Sequence, residues 1–528
     1  MKRIYLTCFT FAIGFLSKAQ DLASTMTVSP GTSVSIASST TLYASELNLK
    51  STSNSFASLL LKGDVGPSTI VNYDRYVNMV GSSGVPGGND LISLPLKLEG
   101  DVTFTDFLNY SSDDELTLNS DDLVNSPSVT TLYAFGPYNN ETETYTNYDS
   151  STDGDVLLER AVGYRAATDN GQTLRFTGAV SKTSETVDIT TNTTTDNYWN
   201  SVGNPYPIYL DSQAFLAQNA SVLHPVTTAI YGYNSGVNSP GTNIGLFTII
   251  NYVSNTDLNI APGQGFLLAN KPDDVSNTIT FTTGMQTFTG TDDFIMGRNS
   301  NNSQKLRLRA DQGSNNFVTE FYFNSNSTLG LDPGYDAGVY NGTSSNFMIY
   351  SQLVEDNTGY NMAIQSLGLA DLNDVIIPLG LKTLQGQQVT FSIEESTLPE
   401  GTLVYLEDNQ TNTFTSLNTG DYTFTSDAVI NGTGRFFLRI GNSTLSTINQ
   451  ESKNLQLFAT EKTLFINGLL LDNTKISVYD IQGRLVLTSY LEEGSESNKI
   501  DTNSLNPGIY VVKLNNEQQQ QTKKVIIK

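Results

Sequence analysis

Apolar and polar residues alternate along most of this chain, in short runs of about four to eight residues, the period of a half-buried β-strand. Thr173–Gly178 (TLRFTG), Thr278–Thr283 (TITFTT), Lys305–Ala310 (KLRLRA) and Arg435–Ile440 (RFFLRI) are examples. Gly, Asn and Asp-rich breaks separate them at strand-and-turn spacing. Sustained helical periodicity is scarce, and short helical turns are expected only at Thr105–Tyr110 and Asp211–Asn219. The pattern predicts an all-β chain of several β-sandwich modules.

Similar segments recur in the same order between about residues 70 and 290. Leu91–Leu96, Thr131–Asn139, Val162–Ala166 and Thr173–Gly178 run parallel to Ser201–Pro207, Thr228–Asn234, Gly263–Ala269 and Thr278–Thr283. Pairing Pro95 with Pro205, Tyr133 with Tyr231 and Phe176 with Phe281 gives offsets of roughly 110, 98 and 105 residues, a drift that loops of unequal length would cause. Residues 20–295 are therefore read as a β-rich region with a weak internal duplication. Residues 296–440 read as a second module of about eight strands, a number that fits a two-sheet sandwich, with a hairpin at Asp408-Asn409. The polar, pattern-free stretch 441–455 reads as a linker. Asn204-Pro205 and Tyr206-Pro207 are places where a cis bond would fit.

The last segment, 456–528, has its own character. In Ile476–Leu487 (ISVYDIQGRLVL), residues 480–483 suit a type I turn with Gly483 at positive φ, a hairpin with a bulge. Pro507-Gly508 makes a turn that starts a strand in which Ile509 and Val511 face one way and Tyr510, Val512 and Leu514 the other. Both faces are apolar, so the strand is expected at the centre of a small sandwich. From Glu451 to Lys528 there are nine Lys and Arg against nine Asp and Glu, so the formal net charge of -25 lies upstream.

That charge argues against nucleic acid as a partner, because phosphate binding needs clustered Lys and Arg. It equally disfavours an anionic membrane surface. Charged residues make up only 15% of the chain, with Ser, Thr, Asn and Gly in their place, a composition of strands and turns. At the start, Lys2 and Arg3 precede the apolar run Ile4–Leu16 and the small-x-small pattern Ser17-Lys18-Ala19, which predicts a signal peptide over residues 1–19. The run is shorter than the about 20 residues of a bilayer span, and no later segment suits a transmembrane anchor. Cys8 is the one cysteine and falls inside this leader, so disulfides and a cysteine nucleophile are not expected in the processed chain.

Three motifs in the tail, Val478–Val486 (VYDIQGRLV), Leu505–Leu514 (LNPGIYVVKL) and the closing Lys523–Lys528 (KKVIIK), occur in the order of a known family. The tail resembles the type A C-terminal sorting domain of the type IX secretion system of Bacteroidota. The resemblance implies a small immunoglobulin-like sandwich that docks on the outer-membrane secretion machinery and is then removed by its surface sortase. It implies sorting roles for Tyr479, Asp480, Gly483, Arg484, Pro507, Gly508, Tyr510, Lys523, Lys524 and Lys528. Further upstream, Tyr198–Pro207, Ala261–Leu268, Gly330–Gly338 and Tyr405–Leu417 resemble β-modules of large surface proteins exported by the same system, which bring no catalytic residue with them.

Reactive chemistry is thinly represented. His224 is the single histidine, beside Pro225, and no GxSxG accompanies it, so it reads as a loop residue with a structural role. Paired carboxylates of the glycosidase kind need only two acids across a cleft, and 53 acids guarantee pairs by number alone. Calcium suits the runs holding Asp113, Asp114, Glu115, Asp121 and Asp122, and Asp149, Asp153 and Asp155, in its demand for clustered oxygens. Neither run matches a known calcium loop, and solvated acidic loops are the simpler reading. Trp199, the sole tryptophan, reads as a core anchor. The expectation is a non-enzymatic, cofactor-free, adhesin-like protein, secreted or held on the cell surface and meeting glycans or other surface components. The alternatives are a polysaccharide-degrading hydrolase with paired carboxylates and a carbohydrate-binding accessory.

Overall fold

The structure, a computed structural model, describes residues 24–527 apart from 81–88, 98–99, 101, 112–116, 235–245, 291–303, 341–345, 442–454, 461, 481–483 and 517–518. The leader, Cys8, most of the linker, Asp113, Asp114, Glu115, Gly483 and Lys528 lie outside the described residues. What is described is all-β with a few short helices.

The first part is a coil of parallel strands, an arrangement the alternation alone does not reveal. Thr25–Val28, Glu46–Thr52 and Ile70–Val77 stack in parallel, as do Ser33–Ile36 on Ser58–Leu61 and Thr41–Leu42 on Asp64–Val65. The chain thus winds through three faces and returns to each one rung higher, the geometry of a parallel β-helix. The register stacks Val28, Leu49 and Tyr73 in one row, all buried in the coil's core. A neighbouring row holds Asn48 and Asn72, joined by an amide hydrogen bond of 2.7 Å, so the buried polar rung satisfies itself.

Ile70–Val77 then pairs antiparallel with Gln172–Thr177, tying the coil to two sheets of like topology. In the first the order is Thr144–Tyr145, Phe135–Asn139, Tyr164–Ala166, Asp90–Ile92. In the second it is Leu246–Ile250, Ile230–Asn234, Gly265–Ala269, Trp199–Gly203. Glu185–Thr190 pairs with Ser276–Phe281 just as Ile70–Val77 pairs with Gln172–Thr177. The registers place Gly136 opposite Arg165 and Tyr231 opposite Leu267, so Gly136, rather than Tyr133, is the counterpart of Tyr231.

The two sheets meet reciprocally. Ser93 N donates to Gly263 O and Gly203 N donates to Ala161 O, both at 2.8 Å. Ala161 and Gly263, each just before the central strand of its own sheet, share a left-handed φ of 58° and 61°. A seam in which i meets j and j meets i is the signature of two-fold packing. Short helices form at Phe104–Leu108, capped by Thr103 and starting one residue before the stretch expected to turn, and at Ser212–Asn219, capped by Asp211 and within its expected stretch. Among the described residues no peptide bond is cis, so the two X-Pro bonds at Pro205 and Pro207 are trans.

From Gln304 to Gly441 the expectation of two separate sheets gives way to one. A single 11-stranded sheet runs in order from Thr413–Ser416 through Leu403–Asp408, Ile430–Gly441, Asp374–Thr383, Met348–Ser351, Met362–Gly368, Asn315–Asn324, Gln304–Gln312 and Gln388–Ser396 to Tyr422–Thr425, with Ala337–Gly338 paired beside this path. Register shifts at Arg307/Leu308 and Leu379/Leu381 let it curl, since bulges bend and twist strands. The curl brings Phe391 within 5.0 Å of Phe436 between ring centroids, and Tyr422 donates to Asp408 Oδ2 at 2.6 Å.

Candidate functional site

The tail folds as two sheets around one core. Gln456–Thr460, Thr463–Asn467 and Ser497–Asp501 form one, and Leu485–Leu491, Thr474–Asp480, Gly508–Asn515 and Gln520–Ile527 the other. This is an immunoglobulin-like arrangement, filled by Leu464, Ile466, Ile476, Val478, Val512 and Leu514. Strand Gly508–Asn515 is central in its sheet, with Tyr510, Val512 and Leu514 in the core.

The sorting residues fall into two groups. At the hairpin, Asp480 Oδ1 accepts from Arg484 N at 2.9 Å and Oδ2 accepts from Arg484 Nε at 3.0 Å. That locks the turn, while the Arg484 side chain stays 77% exposed. The register shifts between Val478 and Tyr479, which are paired with Leu487 and Leu485, while the turn residues 481–483 expected to carry the bulge lie outside the described residues. At the other group, Tyr510 buries its ring and donates its hydroxyl to Asn506 O at 2.7 Å, pinning the Pro507-Gly508 turn in the manner of a tyrosine corner. Lys462 Nζ reaches the carbonyl of Leu505 at 2.8 Å and fixes the same turn from the other sheet. Register joins the groups: Tyr479 lies opposite Val511, which lies opposite Lys524, and Asp480 opposite Tyr510. Lys523 lies opposite Val512 and is half-buried.

The first sheet of the tail rests on the large module. Thr460 Oγ1 donates to Thr358 O at 2.6 Å and Asn467 Nδ2 to Thr433 Oγ1 at 2.8 Å. Gly359 sits so close to Thr460 and the Phe458 ring that a Cβ there would lie 2.7 Å from Thr460 Oγ1.

Elsewhere the candidate residues do structural work. His224 is buried; its Nδ1 accepts from Val226 N at 3.1 Å, capping a 3-10 turn and leaving the ring proton on Nε2. Burial pushes its pKa down to about 4. Its ring lies 4.4 Å from that of Tyr198 and 5.8 Å from that of Tyr360. Those two tyrosines, with Thr227, Gly338 and Asn361, line a cavity of about 110 Å³. Trp199 is buried between Tyr231 and Tyr340, with centroids at 4.9 and 4.8 Å, where the second sheet meets the large module.

In the acidic runs, Asp121 accepts from Leu118 N, Asp149 from Ser151 N and Asp153 from Asp149 N. Bonds from Ser151 hold the Asp149 carboxyl below the usual range. These carboxylates are engaged by the amides of their own turns, and among the described residues no three metal-ligating side chains converge. Asp336 is the opposite case: fully buried, it accepts from Ser366 N and Asp332 N, yet burial raises its pKa to about 7.

These features define an all-β chain of coil, paired sheets and curled sandwich, ending in a small two-sheet domain. Residues 96–440 match the family described as Domain of unknown function (DUF8693), and the chain belongs to that family. Residues 460–528 match the secretion system C-terminal sorting domain, which marks the chain as cargo of the type IX route, destined for the outer surface or the exterior. A solved structure titled "Biofilm associated protein - BSP domain" overlaps 65% of this chain and 96% of its own at 7% identity, with a TM-score of 0.13, which is no likeness of fold. No curated protein matches the chain. Among the described residues no helix is long and apolar enough to cross a membrane.

Proposed function

We propose that this is a non-enzymatic, adhesin-like protein displayed on or released from the cell surface, whose tail is a type A sorting domain read by the type IX machinery of a member of the Bacteroidota. The observation that carries the reading is the match at 460–528 on a self-contained sandwich joined to its cargo by a short polar linker. The bonds between Asp480 and Arg484 and the corner at Tyr510 brace that sandwich. The upstream part is rich in Ser, Thr and Asn, a hydroxyl- and amide-bearing composition suited to contact with glycans or other cell-surface components. Deleting residues 456–528 from the full chain, in a host with this route, is expected to leave the cargo in the periplasm. Equal recovery outside the cell overturns the reading. Adhesion is measured separately, as retention of the purified cargo on glycan- or matrix-coated surfaces.

The cavity between Tyr198 and Tyr360 favours a second reading, a carbohydrate-binding accessory. The two tyrosine rings that line it suit the face of one sugar ring. Loss of glycan retention in Tyr360→Ala would select this site.

A further inference from the structure

We infer that the outer face of the tail's four-stranded sheet is the surface that the secretion apparatus grips, and that its partner is a protein surface with an apolar centre ringed by carboxylates. The inference rests on the export reading above and names which part of the domain is read.

Among the described residues of the tail, the large exposed apolar ones are Leu485, Tyr490, Ile509 and Ile526, at 49%, 73%, 44% and 57% exposure. All four belong to one face. Leu485 is paired with Tyr479 and Tyr490 with Lys475, while Tyr479 is paired with Val511, two residues from Ile509, which is paired with Ile526. Because side chains alternate along a strand, these residues stand outward while Ile476, Val478, Val512 and Leu514 point into the core. Lys475, Lys513 and Lys524 stand outward on the same face by the same register. The four strands contain one acid, Asp480, at a strand end and engaged with Arg484.

A face with paired exposed hydrophobes, three ammonium groups and no outward carboxylate is unusual in a chain of net charge -25, and apolar patches left in water commonly mark interaction sites. The opposite sheet cannot serve, since Thr460, Asn467 and Phe458 on it rest against the cargo. Lysines around an apolar centre call for carboxylates at the rim of the partner, which raise the encounter rate and fix the orientation. An anionic membrane is the weaker occupant, because such surfaces select clusters of about four to eight basic residues.

The test uses the full chain in a host with the type IX route, comparing the protein outside the cell with that in the periplasm. Ile509→Ser with Ile526→Ser, and separately Lys475, Lys513 and Lys524 each →Glu, are expected to lower export on the order of tenfold, an affinity loss of about 1.4 kcal/mol. Lysine-to-arginine changes at the same three positions should keep export, and Lys499→Glu on the other sheet should leave it unchanged. Thermal unfolding of each purified chain separates misfolding from lost recognition. Export of well-folded outer-face variants at the parental level overturns the inference, even where deletion of 456–528 still blocks export. So does parental export by variants that lose only self-association in sedimentation, or only binding to phosphatidylglycerol vesicles. Deletion of the tail without effect overturns the export reading instead.

Discussion

Asn119 and Asn219 make the same three hydrogen bonds in two separate parts of the chain. Asn119 Nδ2 donates to Phe107 O and Arg175 O, and its Oδ1 accepts from Arg175 N. Asn219 does the same with Phe215 O, Thr280 O and Thr280 N. Each amide ties a short helix to the strand behind it, and each is buried. An alanine at either position strands three buried backbone groups, and leaving such groups unmade costs more than the bond itself. Asn119→Ala and Asn219→Ala are each expected to lower unfolding free energy by about 2–3 kcal/mol, read by urea titration. Near-parental midpoints would disprove it.

A second prediction concerns the junction between coil and sheet. Asp74 is buried between Lys50, at 2.6 Å, and Arg175, whose Nε and Nη2 reach it at 2.7 and 2.9 Å. Removing the carboxylate leaves two cations facing each other with little water, so Asp74→Ala should cost about 3–5 kcal/mol. Replacing Asp74 and Arg175 together by leucine should cost less than the single change. The comparison is made by calorimetry on the full chain.

The third prediction is a pH dependence. The folded pKa of His224, about 4, lies below its ordinary value of 6.5. The unfolded chain therefore binds the extra proton first as pH falls. The stability due to neutral His224 is complete above pH 6.5 and is lost on descending from there to about 4, on the order of 3 kcal/mol in all. As the single histidine, it gives one titrating imidazole signal by NMR, expected near pH 4. A midpoint near 6.5 would contradict its burial. His224→Asn, which can still cap the turn, should flatten the stability slope in that window.

The fourth prediction isolates the corner of the tail. Tyr510→Phe keeps the buried ring and removes only the bond to Asn506 O, so it should cost about 1 kcal/mol. Tyr510→Ala empties part of the core and should cost about 3–5 kcal/mol. Proteolysis at the Pro507-Gly508 turn reports both, with the phenylalanine variant only mildly more sensitive.

The tail was the most legible part of the molecule because its signals are local. The turn at Pro507 and the two-sided strand Gly508–Asn515 each follow from a few neighbouring residues. The outward lysines were not legible as a group, since Lys475, Lys513 and Lys524 meet only through pairing between distant strands. The coil escaped for a different reason. Thr25 stacks on Glu46 but Ser33 on Ser58, so its repeat is uneven, and its rungs interleave Ser, Thr and Asn with the aliphatics. In the large module, the strand number pointed to two sheets, while the pairing of Ser351 with Met362 joins the strands into one. His224 and Trp199 were read as structural from what surrounds them in sequence, but the Tyr198–Tyr360 cavity between them and the large module has no sequence signal.

The winding of residues 25–77 carries an architectural consequence. Each rung stacks on the one beneath it at a spacing of about 4.8 Å, and the rung Ser58–Leu61 is also tied sideways, Leu59 N donating to Pro207 O at 2.7 Å. Insertion or loss of a circuit ahead of that rung would change the length of this end by a fixed step and keep the side contact, whereas the same change behind it would break the contact. Length can therefore vary at the amino-terminal end of the coil while the register of everything after Ser58 is kept.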